Sequence, residues 1–97
     1  MSALDDLFAE EHDRLQRMRI LMDKERSQLP KGYLSKKTIK GKPYYYLQKR
    51  EGDKVKSIFV PEKELNERRI QLVRRKQLDA SIKEIDKNLV KLRQVMK

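Results

Sequence analysis

Apolar residues recur along the first part of the chain at Leu4, Phe8, Leu15, Met18, Met22 and Leu29, in steps of three, four and seven. That spacing is a coiled-coil seam and predicts a first helix over 4–29. Ser2 suits the N-cap, and Asp5 and Asp6 place negative charge in the first turn, where the helix dipole favours it. Glu11 and Glu25 interrupt alternate seam positions, so the pairing is imperfect, and Pro30 and Gly32 end the helix. A second seam, Leu78, Ile82, Ile85, Leu89, Leu92 and Met96, alternates by four and three and belongs to a second helix over 61–96. Pro61 fits its first turn, beside Glu62 and Glu64. Upstream, Leu65, Leu72 and Val73 follow a shifted phase, which predicts a stutter near residues 74–76.

Between the helices the period drops to two. Tyr33–Ile39, Tyr44–Arg50 and Lys54–Phe59 read as three strands, joined by glycine turns at Lys40-Gly41-Lys42 and Glu51-Gly52-Asp53. The fold class is therefore α+β and mainly α. It is an antiparallel coiled-coil hairpin of helices with a three-stranded antiparallel sheet at 33–59 inserted between them, in one domain spanning 1–97. So small a meander is marginal in water, so one face must lean on helix. Leu47 shares its face with Tyr45, which marks that face as the buried one. Tyr44 and Tyr46 then look outward, amid Lys37 and Arg50.

Composition sharpens this picture. Of 97 residues, 37% are hydrophobic and 41% charged, which suits long helices with a narrow seam better than a broad globular core. The absence of cysteine excludes disulfides, zinc–thiolate sites and thiol nucleophiles. No apolar run approaches a membrane span, and the acidic start MSALDDLFAEEH is unlike a signal peptide; a cytoplasmic protein without a membrane partner is expected. The net charge of +10 is unevenly placed: −2 over 1–29, +7 over 30–58 and +5 over 59–97. All four tyrosines fall in the middle segment. A polyanionic partner, nucleic acid or a nucleoprotein, is the expectation that follows.

No catalytic constellation is apparent. His12 is the only histidine, no Ser/His/Asp set, HExxH or phosphate loop occurs, and adjacent carboxylates such as Asp5-Asp6 point in different directions on a helix. An enzyme is not expected, nor a cofactor or metal. The signal is the mixture of cations, which neutralise phosphates, with rings that stack on bases. The candidate nucleic-acid-binding set is Lys36, Lys37, Lys40, Lys42, Tyr44, Tyr46, Lys49, Arg50, Lys54 and Lys56 on the sheet. Arg68, Arg69, Arg75 and Lys76 continue it as a stripe down the second helix. The competing reading is a coiled-coil protein-interaction module whose charge serves solubility. The helical seams serve either internal packing or a homodimer.

The stretch Gly32–Leu65, GYLSKKTIKGKPYYYLQKREGDKVKSIFVPEKEL, resembles a small uncharacterised family of phage and mobile-element proteins. Its members share a GY/YYYL/REG-K-V-x-S-x-x-V-P-x-x-EL sheet followed by a charged helix. The resemblance covers about a third of the chain and brings no catalytic residues with it. Some family forms carry cysteines before the YYYL strand; this chain has none there, so no metal role carries over. The resemblance implies a phage or transposon accessory protein. By analogy with other small phage proteins, it also implies an inhibitor of host defence, including an anti-CRISPR inhibitor of an RNA-guided nuclease.

Overall fold

The computed structural model describes residues 2–96, in the order α1 (Ala3–Ser27), β1 (Tyr33–Ile39), β2 (Lys42–Glu51), β3 (Lys54–Val60) and α2 (Glu62–Val95). Two helices flank a three-stranded antiparallel sheet of order β1-β2-β3. Residues 29–76 form one compact unit and the chain on either side of it forms another, with α2 contributing to both.

In the helical unit, Ser2 caps α1 by accepting a hydrogen bond from the Asp5 backbone N–H at 3.2 Å. α1 ends at Ser27, with Gln28 as its C-cap, so Leu29, which the seam spacing placed in the helix, lies beyond it. Leu15, Ile85 and Leu89 are buried together, with Met18, Met22 and Leu92 packed on them, and Leu78 and Ile82 are buried on the same stretch of α2. The predicted seams therefore pack against each other within the chain. Two cross-helix ion pairs fix the antiparallel register. Arg19 grips Asp86 through both carboxylate oxygens, the longer contact 3.2 Å, and Arg26 reaches Asp79 at 3.0 Å. The hydrogen bond from Arg19 holds the Asp86 carboxyl below its ordinary range, as Arg14 does for Glu11. One seam expectation fails: Leu4 is 58% exposed. The register carries the first turn of α1 past Val95, the last residue of α2, so no apolar side chain of that helix lies opposite it.

In the sheet unit both turns have two residues, since Ile39 pairs with Lys42 and Glu51 with Lys54. Lys40 (φ 51°) and Gly41 (φ 80°) are both left-handed, the signature of a type I′ turn. Gly52 (φ 62°) followed by Asp53 in ordinary space makes a type II′ turn. Both types match the twist of antiparallel strands. Gly32 (φ 112°) sits so close to β2 that a Cβ there would lie 2.0 Å from the Gln48 carbonyl oxygen, backbone that cannot step aside. β2 begins at Lys42 rather than at Tyr44 and so contains Pro43. A proline is tolerated because β3 ends at Val60, opposite Tyr45; beyond that point β2 has no neighbour on its second side to demand an N–H.

Leu47 and Val60 from the sheet pack with Leu65 and Leu72 of α2, and half-buried Leu34 and Tyr45 lean on them. Val73, predicted to share that line, is exposed, because one residue along a helix turns the side chain by about 100°. The buried positions of α2 step by seven from Leu65 to Leu72 and by six from Leu72 to Leu78. That change of phase falls at the predicted stutter, where the chain passes from one unit to the other.

Candidate nucleic-acid interface

Alternation along the strands, with this register, determines what each face carries. The inner face holds Leu34, Tyr45, Leu47 and Val60, the residues of the core. The outer face holds Tyr33, Ser35, Lys37 and Ile39 of β1; Lys42, Tyr44, Tyr46, Gln48 and Arg50 of β2; and Val55, Ser57 and Phe59 of β3. Neighbouring strands line these residues up in rows. Ser35, Tyr46 and Phe59 form one, Tyr33, Gln48 and Ser57 a second, and Lys37 with Tyr44 a third.

The outer face is aromatic, basic and uncovered. Tyr33 is 64% exposed, Val55 65% and Phe59 53%, while Tyr44 and Tyr46 are half-buried by their neighbours. The Tyr46 and Phe59 rings meet edge to face, centroids 5.8 Å apart at 66°. The Lys37 ammonium stands 5.0 Å from the centre of the Tyr46 ring. An exposed cation–π contact of this kind is worth about 0.5–1 kcal/mol, so it restrains Lys37 only weakly. Lys37, Lys42 and Arg50 supply positive charge, and no acidic residue shares the face.

The predicted binding residues divide between these surroundings. Lys37, Lys42, Tyr44, Tyr46 and Arg50 lie together on the outer face, and Lys40 is at the tip of the first turn. Lys36, Lys49, Lys54 and Lys56 have the opposite facing. Of these, Lys49 pairs with Glu51 at 3.2 Å. The helical part of the set does not form one free stripe. Arg68 and Arg75 flank the Leu65–Leu72 line on one side and Arg69 on the other. Arg68 donates to Gln71 at 2.9 Å, Arg75 donates to the Leu29 carbonyl at 2.8 Å, and Arg69 lies 5.5 Å from the centre of the Tyr45 ring. Lys76 is exposed. Arg69 and Arg75 thus engage other parts of the sheet unit, and Arg68 its own helix. Phe59 and Tyr33 are outer-face residues that the sequence-based set omits. A two-residue turn at Gly52-Asp53 places Phe59 beside Tyr46, so counting from the turn would have found it.

Among the described residues no group of three or more His, Cys, Asp or Glu side chains is placed to hold a metal ion, and no helix is long and apolar enough to cross a membrane.

These features define a small α+β protein that presents one uncovered basic-aromatic sheet face. The chain belongs to the family described as a domain of unknown function, DUF6788, which matches residues 8–70. The match takes in most of α1, the whole sheet and the start of α2. No curated protein and no solved structure matches the chain.

Proposed function

We propose that the protein binds single-stranded nucleic acid on the outer face of its sheet. One observation carries the reading: Tyr44, Tyr46 and Phe59 stand on the outer face of the sheet with Lys37, Lys42 and Arg50, and no strand residue on that face is acidic. A ring that served only the fold would pack on the core, as Tyr45 does against Leu47, Val60, Leu65 and Leu72. Unpaired bases stack on aromatic side chains without regard to sequence, and cations at the margin hold the backbone. A salt titration tests it. About six phosphate contacts on a single strand give log K against log salt a slope near −4. A slope near zero, or no binding, overturns the reading.

The rival is a protein-interaction module, favoured by the exposed Ile20 and Leu21 of α1 and Val90 of α2. Its association would be insensitive to salt and indifferent to the outer sheet face. The phage or mobile-element setting rests on the Gly32–Leu65 resemblance alone. Adding the protein to an RNA-guided nuclease cleavage assay tests its strongest form, in which cleavage stops.

A further inference from the structure

β3 stops at Val60 and the chain turns through Pro61 into α2, while β2 runs on past it to Lys42. The notch left beside β2 is a cavity of about 480 Å³, lined by Tyr44, Tyr45 and Phe59 together with Lys42 and Glu62. That volume lies in the range of small-molecule sites, roughly 300–1,000 Å³. In a two-residue hairpin Lys42 exchanges its backbone bonds with Ile39, so Pro43 directs its backbone away from β1 and towards the notch. Proline offers a carbonyl there and no N–H. The Glu62 carboxylate also only accepts. The donors are the Lys42 ammonium, suited to a phosphate, and the hydroxyls of Tyr44 and Tyr45.

We infer that this cavity takes a single unpaired base of a bound strand and prefers guanine. The inference rests on the nucleic-acid reading above and deepens it. Among the bases only guanine presents two adjacent donors, N1–H and the N2 amino group, on its Watson–Crick edge, and a carboxylate accepts both in a bidentate pair. Adenine and cytosine present one amino donor beside a ring acceptor, which would face the carboxylate lone pairs. Uracil and thymine present one N–H between two carbonyls. The aromatic walls stack on the base, and Lys42 neutralises the adjoining phosphate.

The test uses fluorescence polarisation with short labelled RNA and DNA strands, identical except that one carries a single central guanine. The guanine strand is expected to bind on the order of tenfold more tightly, as one good bidentate base contact provides. Glu62→Gln is expected to erase that preference while leaving the guanine-free strand as tightly bound as before. Glu62 is exposed, so the variant should fold, and its far-UV circular dichroism melt verifies that. Equal affinity for the two strands, or a preference that survives Glu62→Gln, overturns the guanine site and leaves the sheet reading standing. Failure of both strands to bind overturns both.

Discussion

The two faces of the sheet are built from the same three strands, residue by residue in alternation, and meet opposite fates. The inner face places Leu34, Tyr45, Leu47 and Val60 against Leu65 and Leu72, so its apolar surface is consumed by the fold. The outer face carries four aromatic rings, Tyr33, Tyr44, Tyr46 and Phe59, against the single Tyr45 inside, and Tyr33 and Phe59 stand exposed. Stability alone would favour polar residues there, as on most half-buried antiparallel sheets. Rings left in solvent among cations therefore argue for a ligand, because large exposed apolar patches on soluble proteins usually mark interaction surfaces.

The contrast breaks most sharply on the inner face. Leu47 is 6% exposed, and Leu47→Asp would bury an unpaired charge at a cost of several kcal/mol. The sheet unit should lose its cooperative melt, followed by circular dichroism; an unaltered melt would mean that the inner face is not the core. Charge reversal comes next. Changing Lys37, Lys42 and Arg50 to Glu should abolish strand binding with the melt little changed, while the same change at Lys36, Lys54 and Lys56, facing the other way, should cost much less. Equal losses would reduce the interface to undirected net charge. Smaller again is the effect of one ring: Tyr46→Ala should weaken single-strand binding by about 1–3 kcal/mol in titration, the range for one stacked base. A loss of melting temperature with no loss of binding would reassign Tyr46 to the fold.

The smallest effect is a control placed away from both faces. The carboxyl of Asp86 titrates below its ordinary range because Arg19 hydrogen-bonds to it, so the folded form binds its proton less readily than the unfolded form. The stabilisation is present above the unfolded value and fades as pH falls through the lower folded one. Melts of the native protein and of Asp86→Asn should differ near neutrality and converge below about pH 4. Strand binding should be untouched by the substitution.

Much of this was legible in the chain. Period-three-and-four seams, a Ser2 cap and two glycine turns located every element, and the pairing of Leu47 with Tyr45 on one face identified the buried side. Three things were not legible, each for a physical reason. Pro43 reads as a strand breaker until it is known that β3 has already ended there. Leu4 satisfies the seam spacing, but spacing says nothing of where the partner helix stops. Arg68, Arg69 and Arg75 look like a free basic stripe because a sequence shows their charge and not their partners: an amide, a ring and a carbonyl.

The bond from Arg75 to the Leu29 carbonyl has a kinetic consequence. It ties the two ends of the sheet unit together, although 46 residues separate them along the chain. Closing a loop of that length costs chain entropy before any distant contact repays it. The two hairpins inside it are local, and such hairpins form in microseconds. A folded sheet unit therefore delivers Leu29 and Arg75 side by side, and the 53-residue separation between Arg26 and Asp79 no longer has to be closed by an open coil. The inserted sheet is thus expected to act as a folding clasp for the helices that precede and follow it. In stopped-flow refolding, Arg75→Ala should slow helix pairing and leave the hairpin phase unchanged; equal slowing of both phases would mean that sheet and helices form together.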